Sequence, residues 1–318
     1  MKLLWIWRAC TFTALISSVL SFSSIPAFSQ QEPAFPGVRT QVVVSVEPRH
    51  GKDVPTVRGE DVAVMQGKQR DKVLAWQPVA SPEVGAQILI LIDDSLPANE
   101  IGTKLNDIRE FINAQPANIL CGIAYMRNGT ALVVQNPTSN HAQAAKALRL
   151  TIGDAGASAS PYFALQDLIK RWPETHSARE VVMITDGIDR FWDGVGLDDP
   201  YLNSAIEDAQ RNGVVVNALY ARGEGHFGHS PWRINWGQNY LSELADGSGG
   251  EAYYLANDTP PSFRPYFTDL TERISHQFLL TFEAQPGKKS GFERIKLSTE
   301  VPNAELVTQR QVHVPTGS

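Results

Sequence analysis

The segment Gln87-Ile88-Leu89-Ile90-Leu91-Ile92-Asp93-Asp94-Ser95 is an unbroken apolar run that stops abruptly in two carboxylates and a hydroxyl. It is too short to cross a bilayer and has no polar alternation. A strand made of it needs cover on both faces, as in a buried parallel sheet. Glu180-Val181-Val182-Met183-Ile184-Thr185-Asp186-Gly187 repeats the design. Two strands thus carry carboxylates past their carboxyl ends, the edge at which open α/β sheets bind ligands, and hard oxygen groups gathered there point to a divalent cation and an acidic partner.

Around these two strands the periodicity predicts an α/β unit over 85–277. Apolar segments at 87–93, 118–126, 180–186, 213–220 and 251–255 alternate with helical spacing, as in Ile101, Leu105, Ile108, Ile112 and in Phe263, Phe267, Leu270, Ile274. Such alternation builds βαβ units, here a doubly wound, mainly parallel sheet. One pair departs from it: Cys121 to Met126 and Thr130 to Gln135 flank Arg127-Asn128-Gly129, and Asn-Gly is a strong hairpin signal, so one antiparallel edge strand is expected. Residues 38–80 and 278–315 carry short strands with glycine-containing turns and no helical partner. Neither set buries a core alone, and the expectation is that they pair into a small β-sandwich-like unit.

The first residues read differently from the rest. Lys2 and Arg8 precede the apolar run Ala14 to Leu20, and Ala27-Phe28-Ser29 fits a cleavage site, so residues 1–29 are expected to be a signal peptide and the chain to be exported, periplasmic or extracellular. Its removal leaves no transmembrane segment. With Lys2 and Arg8 gone, 26 cations face 34 acidic residues, a net charge of −8 that argues against a nucleic-acid partner. Cys10 goes with the leader, which leaves Cys121 alone, inside an apolar segment that reads as core packing.

The order of elements, with Asp93-Asp94-Ser95 after the first strand of the unit and Thr185-Asp186-Gly187 after a central one, resembles the von Willebrand factor type A domain, and the flanking strands resemble those of secreted bacterial proteins that carry it. That resemblance implies a metal ion-dependent adhesion site. In the family an Asp-x-Ser-x-Ser loop, a Thr and a further Asp hold Mg²⁺ or another divalent cation, whose open position takes a carboxylate from a protein ligand. Asp93 and Ser95 match the first loop, while Pro97 stands where its second Ser belongs. Asp186 matches the last Asp. The Thr-bearing loop corresponds to Gly156 to Ser160, with Ser158 the match and Ser160 its rival; Asp94 is a further candidate ligand.

Two long loops follow strands that end on the same edge. One, 188–202, holds Asp189, Arg190, Phe191, Trp192 and Tyr201; the other, 222–237, holds His226, His229, Trp232, Arg233 and Trp236. Loops of this length are commonly functional, and aromatic and Arg side chains dominate interface hot spots, so Trp192, Tyr201, His226, Trp232, Arg233 and Trp236 are expected to form a partner-binding rim. The alternative is a lid that packs these aromatics onto the domain. The expected function is therefore a non-enzymatic, exported protein-binding module using a divalent cation. A metal-free structural component of an envelope assembly is the second reading. A hydrolase acting through Asp93 and Asp186 is a third, although the sequence has no Gly-x-Ser-x-Gly elbow, His-Glu-x-x-His pair or phosphate loop.

Overall fold

The structure is a computed structural model that describes residues 37–153, 160–173, 175–192, 198–223, 229–256, 260–287 and 289–316. The expected signal peptide, Ser158 and His226 lie outside the described residues. The chain opens with β1 (Val38–Pro48), β2 (Val62–Gln66) and β3 (Gln69–Pro78), then enters an α/β region. Its strands are β4 (Ala86–Asp93), β5 (Ile119–Arg127), β6 (Thr130–Thr138), β7 (Ala178–Thr185), β8 (Val214–Tyr220) and β9 (Ala252–Tyr253). Its helices are α1 (Ala98–Gly102), α2 (Leu105–Ala114), α3 (His141–Lys146), α4 (Pro161–Arg171), α5 (Pro200–Asn212), α6 (Pro231–Ser248) and α7 (Arg264–Ser275). The last strands are β10 (Gln277–Ala284), β11 (Gly291–Thr299), β12 (Ala304–Val307) and β13 (Gln311–Val314).

The six-stranded sheet runs β6-β5-β4-β7-β8-β9. All its pairings are parallel except β5 with β6, at the edge. The hairpin between them turns through Asn128 at φ 52° and Gly129 at φ 68°, the two positive angles that a two-residue turn matched to strand twist requires. The aliphatic run of β4 divides by parity. Ile88, Ile90 and Ile92 enter a core with α2, α3 and α7, whereas Leu89 and Leu91 enter another with α4, α5 and α6. Both sides of the strand are dry, which is why its sequence never alternates.

The flanking strands do not form two layers. They make a single antiparallel seven-stranded sheet, β12-β1-β10-β3-β2-β11-β13, in which β10 is held between β1 and β3. This corrects the sandwich expected from sequence. A curled sheet closes on its own apolar face, so Val42, Val44, Val46, Val64, Leu280, Phe282, Ile295 and Val312 form one core without a second layer. Val43 and Leu279, of opposite parity, pack instead into the core of the α/β region.

Candidate functional site

β4 and β7 end side by side, and their parallel register sets Ile92 beside Ile184. The residues that follow, Asp93 to Ser95 and Thr185 to Gly187, therefore emerge at one place. Asp93 accepts hydrogen bonds from the Ser95 N–H (2.9 Å) and the Thr185 hydroxyl (2.7 Å), so the two loops are tied across the strands. Thr185 Oγ1 accepts in turn from the Gly187 N–H (3.2 Å). Gly187 has φ +72°, and a Cβ there would meet the Gly237 carbonyl oxygen at 2.5 Å; a Cβ on Gly237 would lie 2.0 Å from the Asp186 carbonyl oxygen. Helix α6 thus rests directly on the Asp186 loop, and only glycine at both positions permits it. The Tyr162 hydroxyl of α4, in the same core as α6, donates to the Gly187 carbonyl at 2.7 Å.

Two of the carboxylates at this edge, Asp94 and Asp186, are held by arginines. Asp94 accepts two 2.7 Å hydrogen bonds from Arg149, a bidentate fork. The Arg149 guanidinium lies 3.8 Å from the centroid of the Tyr125 ring, and the hydrogen bonds to Asp94 hold it above its ordinary pKa. Asp186 accepts from Arg190 Nη2 at 2.6 Å and Nη1 at 3.3 Å, and from the Ile188 N–H at 3.0 Å. Burial raises the Asp186 carboxyl above its usual range, and Arg190 opposes that rise. Burial works against the charge on Arg190, but Asp186 and then Asp93 outweigh it and keep the guanidinium above its usual value. The Ser160 hydroxyl donates to Asp189 at 2.7 Å and accepts from the Phe163 N–H, which makes Ser160 the N-cap of α4.

The sequence reading placed Asp93, Asp94, Ser95, Ser160 and Asp186 near one another, and the structure brings them to one edge of the sheet. Ser95 Oγ is buried without a hydrogen-bond partner, while the other oxygens are engaged as described. Pro97 sits at the N-terminal cap of α1 with φ −58° and offers no oxygen. Among the described residues, no three or more His, Cys, Asp or Glu side chains are grouped to hold a metal ion. Mg²⁺ demands near-octahedral oxygen coordination. Carboxylates forked onto arginines do not supply it, so the described residues, as arranged, do not fit the cation.

The rim is divided. Tyr201 and Trp236 turn onto the core beside α4 and α5. Phe163, Phe191 and Trp192 surround the Tyr201 ring, with centroids 4.5, 5.7 and 6.5 Å away. Arg233 is half-buried, whereas Trp232 stands in solvent. The sequence reading gave no role to Arg190 and did not single out Arg149, the two side chains that settle the electrostatics. Arg149 lies 55 positions from Asp94, and no periodic pattern links them.

No protein-family model and no curated protein sequence matches the chain. Solved structures do resemble it at low identity. An aerotolerance-related membrane protein from Bacteroides fragilis aligns with 16% identity over 60% of this chain and 98% of its own (TM-score 0.43). The manganese-loaded TRAP protein of Plasmodium vivax aligns with 12% identity over 77% and 100% (TM-score 0.42). The SpRpn10 VWA domain aligns with 12% identity over 59% and 94% (TM-score 0.36). The chain's own features bear the fold assignment: the β6-β5-β4-β7-β8-β9 order, the antiparallel edge strand, and the Asp93-x-Ser95 and Thr185-Asp186-Gly187 loops at one sheet edge make residues 86–275 a von Willebrand factor A-like fold.

Proposed function

We propose that the chain is an exported, non-enzymatic protein-binding module whose partner sits over the carboxyl ends of β4, β7 and β8. One observation carries this reading. Large apolar side chains that a soluble surface ordinarily hides are presented on the loops of this edge and the first turn of α6: Leu150 and Ile152 are 49% exposed, Phe191 50% and Trp232 73%. Leu150 and Ile152 belong to the segment tied to Asp94 through the Gly153 N–H, and Phe191 follows Arg190 directly. Exposed apolar groups in a segment that also holds the part-exposed Arg149 have the composition of an interface. Export rests on the leader-like residues 1–29. No helix among the described residues is long and apolar enough to cross a membrane.

The contacts at this edge favour the metal-free form of this function over the cation-dependent one, because Asp94 and Asp186 are already paired with Arg149 and Arg190. A photo-crosslinking residue placed at Trp232, Phe191 or Ile152 in cells is expected to capture the same discrete protein. A control at Leu74, exposed on the antiparallel sheet, is expected to miss it. Identical products from all four positions would defeat the assignment of this face. With the captured partner in hand, Trp232→Ser is expected to weaken binding by about 30-fold or more, the scale of an aromatic hot spot.

A further inference from the structure

We propose that Arg190 is the built-in cation of this site: its guanidinium takes the place that a divalent ion holds in related adhesion sites, so the chain engages its partner without metal. Among the described residues, the oxygens that would ligate an ion account for themselves one by one. Both Asp186 oxygens face Arg190, both Asp94 oxygens face Arg149, and both Asp93 oxygens accept from Ser95 and Thr185. The Ser160 hydroxyl points its proton at Asp189. Of the described oxygens Ser95 Oγ remains, and one neutral hydroxyl does not hold a hard cation.

Space and charge agree with the oxygen count. The crevice that Asp93, Ser160 and Arg190 line measures about 10 Å³, room for one water but not for a magnesium ion with the several waters it keeps. Arg190 is only 13% exposed and is anchored on the buried Asp186, so it cannot swing aside without stranding that carboxylate. Asp93 also acts on Arg190 electrostatically and lines the same crevice, so the guanidinium serves both of the acids that the fold brings from β4 and β7. A fixed positive charge at this position costs no metal affinity and does not respond to chelators.

The consequence for the partner rests on the binding face proposed above; the replacement of the ion by Arg190 does not, and it is tested without any partner. The full mature chain is titrated calorimetrically with Mn²⁺ and Mg²⁺, and its melting temperature is followed with Mn²⁺ and with EDTA. The wild type is expected to show no saturable binding up to millimolar ion and no shift in either medium. Arg190→Gln removes the charge at similar volume; it is expected to bind Mn²⁺ saturably and to melt higher with the ion, and both effects are expected to vanish in Arg190→Gln/Asp93→Asn. Arg190→Lys keeps the charge and is expected to remain indifferent to metal. Arg190→Gln that folds only with Mn²⁺ present also supports the proposal. It is overturned by saturable Mn²⁺ binding to the wild type that Asp93→Asn abolishes, or by an Arg190→Gln protein that ignores Mn²⁺, folded or not. A failed crosslink at Trp232 would leave these results standing, and the converse holds.

Discussion

Strand β7 carries a buried acid at each end, and the two are handled in opposite ways. Past its carboxyl end, Asp186 is 1% exposed and forked onto Arg190. Near its start, Glu180 is 0% exposed, and its one described hydrogen bond is accepted from Asn217 Nδ2 at 2.9 Å, while Oε1 has no partner. Arg273 faces Glu180 from α7 but forms its ion pairs with Glu47 and Glu251. Gln277 of β10 also faces it, with its own Oε1 buried and unpartnered. Burial pushes the Glu180 carboxyl up to about 7, and Arg273, Gln277 and Asn217 recover only part of the shift. Equal burial therefore yields different chemistry. A carboxylate with a fixed guanidinium in contact has its rise opposed by that partner, whereas one that must share a distant arginine with two other acids holds its proton close to neutrality.

The largest effect is expected at the paired end. Arg190→Ala strands a buried charge on Asp186, a loss of about 3–5 kcal/mol in chemical denaturation. Arg149→Ala should cost less, because the Arg149 side chain is 38% exposed and its removal opens the otherwise buried Asp94 to water. Equal losses for the two arginines would break the distinction between a buried and a screened fork.

The unpaired end is expected to announce itself through pH. Glu180 is raised in the folded protein, so the native state binds a proton that the unfolded chain has released. Its stabilisation is complete below the ordinary Glu value of about 4.5 and is lost as pH rises through about 7, on the order of 3 kcal/mol in all. Glu180→Gln cannot titrate and should remove that decline. Asp71, which burial raises to about 6, contributes to the same slope in both proteins, so the difference between wild type and variant isolates Glu180. Parallel stability curves from pH 4.5 to 8 would show that Glu180 stays ionised, with the Gln277 amide turned to donate to it.

These contrasts also mark what a reader of the chain can and cannot see. The strands and the Asn128-Gly129 hairpin were legible because burial on two faces or one leaves a period in the residues themselves. The carboxylates at the ends of β4 and β7 were legible because an apolar run that stops in Asp has few other uses. The single curled sheet was not, since β10 sits between β1 and β3 through pairings over 200 positions apart that alternation does not encode. Ser160-Pro161 was available as a helix start, a capping hydroxyl followed by proline at the first turn, but a hydroxyl near aspartates reads equally as a ligand. The arginines were hidden for a different reason. Which acid a guanidinium finds is decided by loop geometry, and loops carry no period.

The smallest effect tests how the paired end is kept in place. Tyr162 is fully buried and donates to the Gly187 carbonyl at 2.7 Å, and burial raises its hydroxyl well above the ordinary tyrosine value, so it acts as a permanent donor. Tyr162→Phe removes that bond and leaves a buried carbonyl to find another donor, a cost of about 1–2 kcal/mol. If Gly187 is held chiefly by the close approach of Gly237, the loop stays where it is and the stability loss is the whole effect. If the tyrosine sets the loop, the Asp186–Arg190 fork loosens with it, and Tyr162→Phe would then gain part of the Mn²⁺ response expected of Arg190→Gln. A calorimetric titration of Tyr162→Phe separates the two, and no uptake of Mn²⁺ is the expected result, because a backbone contact that excludes even a methyl group is the stiffer restraint.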